Sequence, residues 1–128
     1  MYMDTMSSFS SKNDTTINAL IKKLGDQEPG FYSLGTPFLT DTKITRKLVD
    51  MGKIALPHLI NALGSENDKI VMYTIYCLGQ IGDKSILPFL KETKKKYLTK
   101  KNRGEYYFGV LSVINKVESY FVDAKKSS

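Results

Sequence analysis

An all-α chain, folded as a short α-solenoid of two to three stacked helix pairs, is the architecture this sequence predicts. Three observations carry it. Apolar residues recur at i, i+3, i+4 and i+7 through much of the chain, the spacing that lines one face of a helix. Two of these stretches stop at a glycine, Gly52 and Gly82, and two others open on Leu-Pro, at 56–57 and 87–88. Glycine ends helices cheaply and proline is tolerated in a first turn. A helix pair cannot bury its apolar faces unaided, so consecutive pairs must stack.

Taken in order, residues 1–15 are rich in Ser, Thr, Asn and Asp and lack both a basic n-region and an apolar h-region. They are expected to form a disordered leader, not a secretory signal. The solenoid is expected over 16–123, beginning with "INALIKKLG" (17–25). An inserted loop follows at 26–40, "DQEPGFYSLGTPFLT", longer than most helix connections. It holds too many bulky residues for a disordered linker. Either it covers the open end of the stack or it meets a partner, with Phe31 and Tyr32 as the candidate contacts. Thr40 or Asp41 can cap a helix running to Met51, and Ser65 one running to about Ile81. "LPHLINALG" (56–64) and "LPFLKETK" (87–94) are the helices between and after them. A last helix is expected from about 104 to 122, before a polar tail at 124–128.

The helices repeat. "LVDMG" (48–52), "LGQIG" (78–82) and "LSVIN" (111–115) align through Leu48, Leu78 and Leu111, and through Met51, Ile81 and Ile114. A second series aligns Ile17 with Leu56, Leu20 with Leu59, Ile21 with Ile60 and Leu24 with Leu63, and Leu87, Pro88 and Leu90 continue it. Such self-similarity marks repeat architectures. Residues 41–95 resemble the short HEAT-like repeats of the phycobilisome-lyase type. The match lies in Gly52, Leu56, Pro57, Leu59, Leu63, Val71, Cys77, Leu78, Gly79, Ile81, Gly82, Pro88 and Leu90. Met72 replaces a common basic residue of that pattern, and Asn115 stands where glycine is expected. The resemblance implies a right-handed superhelix whose second helices line a concave surface. It also admits functions from adaptor to bilin lyase or chaperone of a chromophore protein, because the fold does not name the function.

On the concave surface so implied, one row is Ala19, His58 and Phe89 and the next is Lys22, Asn61 and Glu92. These rows, with Phe31 and Tyr32, are the candidate partner-binding residues. Phe89 lies off the apolar stripe; it either anchors a partner or packs on the C-terminal helix. His58 is read as a surface contact, having no second histidine for metal work. Tyr73 and Tyr76 share a helix face and are read as packing against the neighbouring repeat. Cys77 falls at a small-residue, core-facing position with no activating base in sight.

Charge is concentrated in one place. The chain carries +6, and "KETKKKYLTKKNR" (91–103) holds seven basic residues and one acidic, so the remainder balances at twelve of each sign. Cations near a helix C-terminus gain about 0.3–1 kcal/mol each from the dipole, which accounts for two or three of the seven. Lys91, Lys94, Lys95, Lys96, Lys100, Lys101 and Arg103 are therefore candidate anion contacts. They form a solvated helix end, a docking site for an acidic protein, or an electrostatic grip on nucleic acid. Val110, Val113, Val117 and Phe121 belong to an apolar strip spanning half of the last helix, wide for one neighbour, and so a candidate homodimer surface.

One cysteine excludes an internal disulfide and fits a reducing cytoplasm. No stretch approaches a membrane span. No nucleophile–base pair or metal-ligand set stands out, so no catalytic residue, metal or cofactor is assigned. The expectation is a non-enzymatic protein-binding adaptor or regulator.

Overall fold

A computed structural model describes residues 2–31 and 37–127, with side chains for 13–30 and 39–122. Six α-helices follow one another: α1 (Tyr2–Leu24), α2 (Lys43–Met51), α3 (Leu56–Ala62), α4 (Asp68–Ile81), α5 (Leu87–Leu98) and α6 (Tyr107–Ser127). Apart from a ladder two residues long, in which β1 (Gly30–Phe31) pairs antiparallel with β2 (Pro37–Phe38), the described elements are helical.

Helix α1 begins at Tyr2, so the backbone of the expected disordered leader is helical. Ser and Thr are modest helix formers, but extending a helix costs far less than nucleating one. The nucleus is the segment whose Ile17, Leu20, Ile21 and Leu24 are buried. The inserted loop is held at its start: Pro29 is buried, and Lys69 Nζ of α4 lies 3.3 Å from Glu28 Oε1. Tyr32 and the side chain of Phe31 lie outside the described residues.

The helix ends follow local chemistry. Helix α2 is capped by Thr42, not by Thr40 or Asp41. Its Oγ1 accepts from the Thr45 backbone N–H, and Thr45 Oγ1 accepts from the Thr42 N–H at 2.8 Å. That reciprocal box satisfies two otherwise orphaned donors. Asn67, not Ser65, caps α4, its side-chain oxygen accepting from the Lys69 and Ile70 N–H groups. Gly82 ends α4 at φ 77°, ψ 26°, a left-handed conformation in which a side chain would be strained. Pro57 and Pro88 are the second residues of α3 and α5, each reached through a short 3-10 turn.

Helix α4 is the centre of the molecule. It contacts α1, α2, α3 and α6, and Val71–Ile75 and Cys77–Gly79 are buried. A helix apolar on nearly all sides belongs in an interior. Met72, the departure from the repeat pattern, is 1% exposed; a charged residue there would be desolvated.

The C-terminal helix corrects the sequence reading. It starts at Tyr107 and contacts both α4 and α5. Tyr107, Val110, Val113, Ile114 and Val117 are buried and Phe121 is partly buried against the core. Two neighbours, not one, cover the wide apolar arc. Val110, Val113 and Val117 are therefore interior and Phe121 is partly covered, so the strip is not an open surface for a second copy. Close approach of α4 and α6 requires Gly79: a Cβ there would meet Val117 Cγ2 at 2.6 Å.

Candidate functional site

Helices α1, α3 and α5 each turn one stripe inward and leave the next outward. Leu20 and Leu24, Leu59 and Leu63, and Leu90, Thr93 and Tyr97 go to the interior. The residues between them emerge on the outside. Lys22, His58 and Asn61 line one groove of about 580 Å³ between α1 and α3, together with Asn18 and Ile21. Phe89 and Glu92 line a second of about 400 Å³ between α3 and α5, with Ile60, Leu63 and Lys96. Ala19 borders a further recess beside Lys22 on α1. Helix α3 is the ridge between the two grooves.

Most of these groups are free to meet a partner; His58 is not wholly so. Its Nε2 lies 2.8 Å from Asp14 Oδ1, tying α3 to α1. Asp14 falls in the stretch read as leader, which is why that tie was invisible in the sequence. Phe89 is 44% exposed, so the alternative of packing against the C-terminal helix does not describe it. An exposed aromatic beside Ile60 and Leu63, with Glu92 and Lys96 at the rim, has the composition of an interface anchor.

The basic stretch divides into two groups. Lys94 Nζ lies 3.3 Å from Glu118 Oε1 of α6. Lys100 Nζ donates to Asp68 Oδ1 at 3.0 Å and sits 4.4 Å from the Tyr97 ring centroid. Arg103 lies 4.8 Å over the Tyr107 ring. Those three cations fasten the end of the fold. Lys91, Lys95, Lys96 and Lys101 have no carboxylate partner among the described residues. They do not form one track, because Lys96 faces the α3–α5 groove. A further groove of about 510 Å³ gathers Lys96, Lys100 and Arg103 but adds Glu66 and Asp68. Its mixed sign opposes a phosphate chain.

The remaining candidates are interior. Cys77 is fully buried, and burial, reinforced by the Asp41 charge, pushes its thiol up to about 12; the reactive thiolate is disfavoured. Tyr73 is 1% exposed, and burial raises its phenol above the usual range. Tyr97 is also buried, and its hydroxyl donates to Asp68 Oδ1 at 2.6 Å. Among the described residues there is no cluster of three His, Cys, Asp or Glu side chains that could hold a metal ion. No described helix is long and apolar enough to cross a membrane. Compared with profiles of known families, with curated proteins and with solved structures, the chain matches none.

Proposed function

We propose that this chain is a protein-binding adaptor or regulator without catalysis of its own, working in the cytoplasm. In this reading α1, α3 and α5 are the second helices of two to three HEAT-like pairs in a short right-handed α-solenoid. Their outward rows are the binding surface. One observation carries the proposal: the outward residues of three alternate amphipathic helices line two adjacent grooves, with Lys22, His58 and Asn61 in one and Phe89 and Glu92 in the other. Such a surface offers apolar anchorage with polar orientation, which is how interfaces divide their work.

Nucleic-acid binding through 91–103 has weaker support, since Lys94, Lys100 and Arg103 are engaged within the fold. Affinity capture from native lysate, with and without nuclease, tests both readings. Proteins retained by the natural chain should survive nuclease and be lost to a Lys22→Glu, Phe89→Ala double variant. Retention that vanishes with nuclease, or that ignores both substitutions, would contradict the proposal.

A further inference from the structure

A second surface lies at the other end of the molecule, on the flank of α5 and α6 turned away from α3. Its position follows from which residues are already occupied. Leu90 and Tyr97 of α5 face the core, Phe89 and Lys96 face the α3 groove, and Lys94 reaches Glu118 of α6. At about 100° per residue, Lys91, Lys95 and Leu98 fall on the remaining flank, beyond α6. On α6, Val117 faces Gly79 of α4 and Glu118 faces α5. The same rotation places Leu111, Phe108 and Val122 on the side adjoining that flank.

The valley between the two helices is therefore mainly apolar, with exposed Asn115 among its α6 residues, and most of it is uncovered. Leu98 is 55% exposed, Phe108 66% and Val122 50%. Lys91 and Lys95 stand along one edge, with no carboxylate partner among the described residues. Two antiparallel helices with an apolar valley form a seat for a third helix, as α4 and α5 together do for α6.

We propose that this valley binds an acidic amphipathic helix of another protein, apolar on one face with Glu or Asp beside it. Charge selects that occupant over a second copy of the chain. Symmetric self-pairing would set this flank against a copy of itself, whose named charges are again Lys91 and Lys95, with no carboxylate to receive them. Head-to-tail stacking would set them against the outward face of α2, where exposed Lys43 and Lys47 outnumber Asp50 and Arg46 already pairs with Asp41. Unpaired like charges across an interface oppose both arrangements. The valley is separate from the α1–α3–α5 face and stands or falls without it.

The test uses the full chain and two labelled synthetic helices about 16 residues long, sharing one leucine face. One has glutamate flanking the leucines and the other lysine. Fluorescence anisotropy should show the glutamate peptide binding at least tenfold more tightly. Leu98→Glu and Phe108→Glu, both at exposed positions, should each weaken it about tenfold or more, while Phe89→Ala leaves it unchanged. Lys91→Glu with Lys95→Glu should reverse the preference toward the lysine peptide. Equal binding of both peptides, no binding of either, or a preference that the charge reversal leaves intact would overturn the proposal. So would a light-scattering mass of two chains that Phe108→Glu returns to one, or displacement of the glutamate peptide by duplex DNA.

Discussion

Gly79→Leu should lower stability by about 3 kcal/mol, near the upper end of what overpacking costs, and separate α6 from the body of the protein. Any side chain here forces its neighbours to shift, since an added Cβ would stand 2.6 Å from Val117 Cγ2, 3.2 Å from its Cγ1 and 3.4 Å from a Tyr120 ring carbon. Val117 cannot retreat, being itself 2% exposed. Alanine is a finer probe of the same contact. It gains about 0.8–1 kcal/mol in helix propensity over glycine and loses about 1–3 kcal/mol to overpacking, so its net cost should be small. In a Val117→Ala background the clash disappears, so there Gly79→Ala adds only its propensity gain, beside the cost of truncating buried Val117. The double variant should therefore be more stable than the single effects add up to, by about 0.5–3 kcal/mol. Urea denaturation of the four chains reads this directly. Strict additivity would show that α4 and α6 do not meet at Gly79.

The second large effect lies where α5 leaves the core. Tyr97, 1% exposed, donates to Asp68 Oδ1, and Lys100 donates to the same oxygen. Asp68 is the first residue of α4, so one carboxylate joins the start of α4 to the end of α5. Tyr97→Ala removes a buried ring and should cost about 3–5 kcal/mol, as aromatic truncations do. Asp68→Ala should cost about 1–3 kcal/mol because it leaves a buried hydroxyl unpaired, and Tyr97→Phe only about 0.5–1.5 kcal/mol. The order of the two milder variants is the informative part. Equal losses would mean the hydroxyl is not sealed from water.

The same burial sets the response to alkali. Tyr97 is held above the ordinary tyrosine value of 10.0, first by burial and then by its bond to Asp68. Cys77 is raised from 9.0 to about 12 by burial. Both groups ionise more readily in the unfolded chain. Their contribution is thus complete below pH 9 and is lost as pH rises toward 12. The melting temperature should be level from pH 7 to 9 and fall steadily above it. An unchanged melting temperature at pH 11 would contradict that placement.

How much of this was legible beforehand depended on distance along the chain. Helices α2 to α5 are announced by Leu-Pro starts, glycine stops and apolar spacing, all of which act within a few residues. The capping residues were displaced slightly because several acceptors compete. Thr45, three residues after Thr42, was the available signal for the reciprocal box. The arc of apolar residues on α6 was counted correctly, but a sequence does not say how many neighbours will share an arc. The partners of Lys94 and Lys100 lie 24 and 32 residues away, beyond any local rule. The outward positions on α1, α3 and α5 were readable because apolar spacing within each helix fixes which residues turn inward, whereas their division between two grooves was not. The valley between α5 and α6 was not, since it appears only once α6 has taken its place.

The partner surface can be located most directly by site-specific photocrosslinking. A benzophenone side chain at position 61, on the ridge between the two grooves, should yield covalent adducts with another polypeptide in native lysate. The same group at position 47, on the outward face of α2, should yield none. Adducts from position 47 alone, or none from 61, would place the partner elsewhere and contradict the account.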